Sequence, residues 1–215
     1  AQGAIISSLC TLAEMRDNET GNHIRRTQSY VRALAERLRD HPRFRGELND
    51  ESIRLLYISA PLHDIGKVGI PDAILRKPGR LTPQEWAVMQ RHAEYGHDAI
   101  ERAALELGEE GIFLRYAREI AHGHHEHWDG TGYPRGLAGD AIPVAARLMA
   151  VADVYDALIS RRVYKPPYAH EQAVAMICAE RGGHFDPDVV DAMLEIVDEF
   201  HGIARRYRDD AGAAG

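Results

Sequence analysis

Apolar residues return every three or four positions along most of this chain, the spacing of one face of an α-helix. Ile5, Ile6, Leu9, Leu12 and Met15 form one such stripe, and Ile24, Val31, Leu34 and Leu38 form a second. Ile53, Leu55, Leu56 and Ile58 open a third helix that runs towards His63. Thr82-Pro83-Gln84-Glu85 spells out a helix start. Thr caps, Pro takes the first helical position, and Glu reaches back to complete a capping box. Further stripes span Ile112 to Ala121, Val144 to Ile159, Glu171 to Ala179 and Pro187 to Phe200. Gly and Pro gather in 66–81 and 128–143, which read as loops, with room for a short hairpin near 135–142. The expectation is an all-α, single-domain bundle of roughly seven to nine helices. The final stretch 209–215, "DDAGAAG", is expected to be a disordered tail.

Composition narrows the class without changing that picture. With 215 residues, 45% hydrophobic and 27% charged, the chain can bury one substantial core. No apolar run nears the ~20 residues of a membrane helix, and no secretory segment opens the chain. Cys10 and Cys178 make no disulfide framework, so a cytoplasmic setting is expected. A net charge of −7 argues against a binder of nucleic-acid polymers, which needs a broad basic surface. An anionic small molecule remains compatible, because bound divalent cations reverse the local field of an acidic site. The first residue is Ala, which suggests a piece of a longer protein. The stripe within 1–16 would then be a connector helix from an upstream receiver or sensory domain, or a contact in a homodimer.

Histidines carry the chemistry. There are 12, and most fall in a few short segments. His41, His170, His184 and His201 have no chemistry-bearing neighbours and read as surface or satisfied core residues. His63-Asp64 closes an apolar helix just before Gly66, Lys67 and Gly69. At a helix end such a pair can straddle neighbouring ions, the carboxylate bridging through its two oxygens. Lys67 reads either as a solvated loop cation or as a phosphate contact. His124-His125 repeats this arrangement ahead of a Gly/Pro turn, with His122 and His127 as surface or supporting residues and Glu126 ambiguous. Asp153 and Asp156 share one face of the otherwise apolar "LMAVADVYDALIS". A carboxylate there is costly to bury unless paired or metal-bound, which favours Asp153 as a ligand. Arg161, Arg162 and Lys165 follow, either as a phosphate grip or as cations complementing a helix end. No Walker A loop, dinucleotide fingerprint, HExxH helix or G-x-S-x-G elbow competes with this reading.

With His63-Asp64 and Gly132-Tyr133-Pro134 both in place, the chain resembles the HD-GYP family of HD-domain metal phosphohydrolases. The resemblance runs in order through "RDNETGNH" (16–23), "HDIGKVGIPDAILRKPGRLTPQE" (63–85) and "MQRH" (89–92). It continues over "HHEHWDGTGYPRGLAGDAIPVAARLMAVADVYDAL" (124–158) to "RVYK" (162–165). It implies an HD-type helical domain over 1–208 that hydrolyses cyclic di-GMP to pGpG or GMP with two or three divalent metal ions. Position by position, it implies metal ligands at Glu19, His23, His63, Asp64, His92, His124, His125 and Asp153, with Asp64 bridging. It also implies substrate contacts at Lys67, Tyr133, Asp156, Arg162 and Lys165. Two departures are visible: His127 where Arg or Lys is commoner, and Val163 in place of a frequent Pro.

The reaction so implied is attack of a metal-bridging hydroxide on phosphorus, with Asp64 and Lys67 as the catalytic pair. A donor set of imidazoles and carboxylates without thiolates suits Fe or Mn, with Zn, Ni and Co also compatible. The alternatives are a phosphodiesterase for another cyclic dinucleotide, such as cyclic GMP-AMP, and a catalytically silent cyclic di-GMP sensor or scaffold.

Overall fold

The computed structural model describes Ile6, Cys10, Ala13, Arg16 and residues 21–108, 114–160 and 166–208. Among the described residues the architecture is all-helical, with nine helices of eight residues or more and one four-residue turn. In chain order these are α1 (Gly21–Leu38), α2 (Asp50–Ser59), the turn α3 (Asp72–Leu75), α4 (Pro83–Gln90), α5 (His92–Leu107) and α6 (Leu114–Gly123). They continue with α7 (Val144–Ile159), α8 (His170–Ala179), α9 (Pro187–Glu195) and α10 (Val197–Arg206).

The local signals explain most of these boundaries. Thr82 accepts from the Glu85 backbone N–H while the Glu85 side chain returns to the Thr82 N–H, so the expected capping box opens α4. Asn49 and Ser52 make the same reciprocal cap for α2. Two expectations need correction. The stripe from Pro187 to Phe200 is two helices, parted at Ile196, where φ is −119° and ψ 27°. Its apolar period continues across the break, so periodicity alone could not reveal it. The hairpin near 135–142 does not form. Asp129 and Ala138 make an isolated antiparallel bridge, and Gly139–Ala141 winds into a 3-10 turn. Gly130, Gly136 and Gly139 all take positive φ, which bends the segment too sharply for a ladder.

Helix α7 runs through the centre. Val144 to Ala152 are buried without interruption, and Tyr155 and Asp156 extend the buried face. Around it Tyr30, Leu34, Leu56, Leu148, Val151, Phe185, Val189, Met193 and Phe200 form the main core. A second cluster joins Cys10, Ile24, Leu62, Ile100, Leu114, Ala117 and Ala121. Ile6 packs against it as well. Ile6 of the expected connector stripe, and Cys10 near it, therefore face the domain's own core. The rest of that stripe and the 209–215 tail lie outside the described residues.

Tyr30 stacks on Phe200 with centroids 4.6 Å apart and meets Tyr155 edge-on at 5.1 Å. Its hydroxyl is buried without a hydrogen-bond partner among the described residues. Because Phe keeps the ring and removes that orphan, Tyr30→Phe is expected to stabilise the fold by about 1 kcal/mol. That corresponds to a rise in Tm of roughly 2–4 °C at this size. A calorimetric scan showing a lower Tm would mean that the hydroxyl has a partner.

Candidate metal centre

The edge of the second cluster is where the polar residues converge. His23 precedes Ile24 on α1, His63 follows Leu62 in the short 3-10 extension of α2, and His124 and His125 follow Ala121 at the end of α6. His92 opens α5, and Asp153 projects from α7. Two close approaches bring these segments together. A Cβ on Gly66 would stand 1.9 Å from the His92 carbonyl oxygen and 2.4 Å from the Gly96 nitrogen. A Cβ on Gly132 would stand 2.2 Å from the His127 nitrogen. Only glycine lets the 65–69 turn lie on α5, and only glycine lets the GYP loop fold back over His125-Glu126-His127.

Seven of the eight expected metal ligands fall among the described residues, and they form two groups. His23, His63 and Asp153 make one; Asp64, His92, His124 and His125 make the other. Within each group one donor atom per residue lies within 4.8 Å of the rest. Asp64 stands at the seam, with Oδ2 3.4 Å from His63 Nε2 and Oδ1 3.3 Å from His92 Nε2. The eighth residue, Glu19, lies outside the described residues, as do Arg162 and Lys165.

The hydrogen bonds behind the rings decide what the site can hold. His63 Nδ1 donates to the Ala60 carbonyl at 2.9 Å, His92 Nδ1 to Met89 at 2.7 Å and His124 Nδ1 to Ile120 at 2.9 Å. His23 Nδ1 donates to Asp156 Oδ2 at 2.8 Å. A carbonyl only accepts, so each of those three Nδ1 atoms carries a hydrogen, and a neutral ring then presents a bare lone pair at Nε2. These Nε2 atoms converge with one another and with that of His125. His23 Nε2 and His63 Nε2 are 3.3 Å apart, and His92 Nε2 and His125 Nε2 are 3.1 Å apart. Asp64 Oδ1 and His124 Nε2, 3.6 Å apart, are buried with no hydrogen-bond partner among the described residues. Two buried acceptors left without a donor among the described residues, at the meeting point of these rings, are what a bound cation satisfies. The residues therefore fit divalent metal ions.

Ionisation agrees. Burial and the charge of neighbouring His124 and His92 hold the His125 imidazole well below its usual range, hence neutral and able to ligate. Burial also lowers His63. Burial opposes the Asp64 carboxylate, yet the Lys67 ammonium 2.7 Å away and the surrounding imidazoles keep it well below the usual carboxylate range.

A second layer of charge fixes the ligands. Asp156 has 1% exposure and accepts from Arg26 Nε at 2.6 Å, Arg26 Nη2 at 3.1 Å and His23 Nδ1. Its two oxygens are spent inside the fold. Asp156, expected as a substrate contact, thus lies buried against Arg26 and His23. Glu126, ambiguous from sequence, is buried and accepts the backbone N–H groups of Arg135 at 2.8 Å and Leu137 at 2.9 Å, which ties down the GYP loop. The Tyr133–Pro134 peptide in that loop is cis, and the Tyr133 ring stacks on His125 at 4.7 Å. Arg43 and Arg147 share the buried Asp186 and lie over the Trp128 ring, holding the far end of the loop.

Sequence reasoning passed over Arg26, Arg43, Arg147 and Asp186. One signal was available for two of them. Arg26 follows His23 by three residues on the apolar face of α1, and Arg147 is the one charged residue in the buried run Val144 to Ala152 of α7. The rings of His127 and His184 lie 3.9 Å apart, tilted by 36°. Burial and His127 push His184 down to about 4, below its ordinary 6.5. The unfolded chain takes up that proton between pH 6.5 and about 4 while the folded chain does not. His184 thus contributes stability that is full above pH 6.5 and lost as pH falls towards 4. Urea midpoints at pH 7 and pH 5 are expected to differ less in His184→Gln than in the parent; equal differences would contradict this.

A helical bundle that turns imidazole and carboxylate lone pairs onto one another defines a class: proteins that hold divalent cations between helices. Comparison with known proteins sharpens the class. A family model described as an HD domain matches residues 8–189. A probable cyclic di-GMP phosphodiesterase of Vibrio cholerae is 54% identical over 99% of this chain and 48% of its own length. A cyclic di-GMP phosphodiesterase of the same organism is 56% identical over 96% of this chain and 42% of its own. This chain thus spans about half the length, or less, of these curated relatives. A solved cyclic GMP-AMP-specific phosphodiesterase of Vibrio cholerae superposes with a TM-score of 0.59 at 21% identity, covering 98% of this chain and 54% of that one. The chain belongs to the HD-domain family. No helix among the described residues is long and apolar enough to cross a membrane.

Proposed function

We propose that this chain is the catalytic domain of a cytoplasmic phosphodiesterase that opens cyclic di-GMP to pGpG, and on to GMP. One observation carries the reading: the orphaned Asp64 Oδ1 and His124 Nε2 face each other within one His/Asp group, while Asp64 Oδ2 lies beside His63 of the other group and the Lys67 ammonium. Asp64, with one oxygen toward each group, would bridge ions held by His23, His63 and Asp153 on one side and by His92, His124 and His125 on the other. Glu19 would serve a third ion. Iron or manganese suits this thiolate-free set. Such ions, when bound, acidify water towards neutrality and neutralise charge on a phosphoryl group.

The chain's own residues supply the rest. Lys67 pairs with Asp64 until the diester arrives and then neutralises its non-bridging oxygens. The Nδ1 donors to Ala60, Met89 and Ile120 fix the tautomers and aim the Nε2 lone pairs. Tyr133 closes the site over His125, and Arg162 and Lys165 would grip the second phosphate. The relatives named as cyclic di-GMP phosphodiesterases support this substrate. The test is chromatography of products from cyclic di-GMP and cyclic GMP-AMP, with protein loaded with Mn or Fe and verified by elemental analysis. Cyclic di-GMP should yield pGpG or GMP, lost with chelator and restored by metal. Loaded protein that leaves both cyclic dinucleotides intact would overturn the reading.

A further inference from the structure

Trp86 is the exposed aromatic at the rim of the metal centre. It sits on α4, 46% exposed, and meets Tyr133 edge-to-face with centroids 6.0 Å apart and planes at 83°. Tyr133 in turn lies nearly parallel to His125, at 21°. The rings form a step: an imidazole of the ligand set, a phenol stacked on it, and an indole standing almost at right angles to the phenol. The indole is well anchored. Its helix begins at the Thr82–Glu85 capping box, and Lys77 holds Glu85 through both oxygens at 2.9 and 2.6 Å. Trp128, by contrast, has its face covered by the Arg43 and Arg147 guanidiniums, and no guanidinium lies over Trp86 among the described residues. Leaving a large aromatic half in water beside a polar centre forgoes its burial energy, and a flat ligand recovers it.

We infer that Trp86 is a specificity-determining residue, a stacking wall for one purine base of the diester whose phosphate lies against the His125 side of the cage. The inference rests on the proposed cyclic dinucleotide activity and adds to it a residue outside the metal-binding segments. A base stacked on an aromatic side chain is sequence-tolerant, because either purine offers a π-face. Trp86 therefore favours a dinucleotide over a bare phosphodiester without itself choosing guanine over adenine.

The experiment is steady-state kinetics of metal-loaded parent, Trp86→Ala and Trp86→Phe on cyclic di-GMP, together with tryptophan fluorescence on rapid mixing with the same compound. Trp86→Ala is expected to raise KM about tenfold with kcat changed less than about twofold, and Trp86→Phe to recover most of the loss. The parent is expected to show a quench on mixing that Trp86→Phe lacks. A parent that turns over with an unchanged KM in Trp86→Ala would overturn the inference and leave the activity standing. A kcat that falls with KM unchanged, not rescued by Phe, would also overturn it, since that marks a role in holding the loop. A quench without hydrolysis would support the stacking wall while sinking the proposed activity.

Discussion

The His63→Ala, Asp64→Ala double variant is expected to lose turnover by on the order of 10³-fold or more while keeping its helical signal. The argument is geometric. Asp64 places one oxygen toward each of the two ligand groups, 3.4 Å from His63 and 3.3 Å from His92. Removing it removes what the groups share. His63 Nε2 supplies the first group with one of its three donors. Ions held by the remainder lose both affinity and spacing, and each ion accounts for several kcal/mol of charge stabilisation, where 1.36 kcal/mol is a factor of ten. The helices do not depend on the pair. His63 follows the last turn of a 3-10 segment, and the main core of Tyr30, Leu56, Leu148 and Phe200 lies elsewhere. Circular dichroism together with metal content and product formation would check all three parts. Turnover within tenfold of the parent would show that chemistry runs through other residues.

The second large effect is at Asp156. Replacing it with Asn keeps the shape and removes the charge that Arg26 and the His23 Nδ1–H both use. His23 then loses the partner that sets its tautomer and basicity. Metal affinity of the His23–His63–Asp153 group is expected to fall 10–100-fold, as it does when outer partners of ligating histidines are removed. Arg26 keeps the Tyr207 carbonyl and the Ser160 hydroxyl as partners but loses its carboxylate counter-charge, which adds a stability loss on the order of 3 kcal/mol. Saturating metal should restore kcat with an unaltered KM for the diester. A KM that stays raised at saturating metal would place Asp156 against the substrate after all, in the role the family resemblance implied.

These two cases mark where sequence was informative. Ligand candidates were legible because each broke a strong local pattern. His63-Asp64 ended an apolar helix ahead of Gly66 and Gly69, and Asp153 sat on a mostly apolar helix between Ala152 and Val154. Helix positions were legible from the 3.6-residue period and from the Thr82 cap. What was not legible is tertiary. Asp156 shares the face of Asp153, so spacing could not reveal that Arg26, 130 residues away, occupies it. Glu126 gives no sequence sign of the two backbone N–H groups it receives nine and eleven residues on. The break at Ile196 leaves the apolar period intact, and the 135–142 segment is shaped by positive φ at its glycines rather than by its polarity. Nothing in the sequence marks Trp86, because its setting depends on the GYP loop, distant in the chain, lying beside it.

The central claim is that lone pairs of two His/Asp groups meet across Asp64 because cations belong between them. The most direct test is anaerobic metal titration of chelator-stripped protein, read by elemental analysis after desalting. At least two equivalents of Mn or Fe per chain should be retained in the parent, and fewer in Asp64→Ala. A stripped chain that stays folded, retains no metal and binds no less after loss of Asp64 would contradict the account.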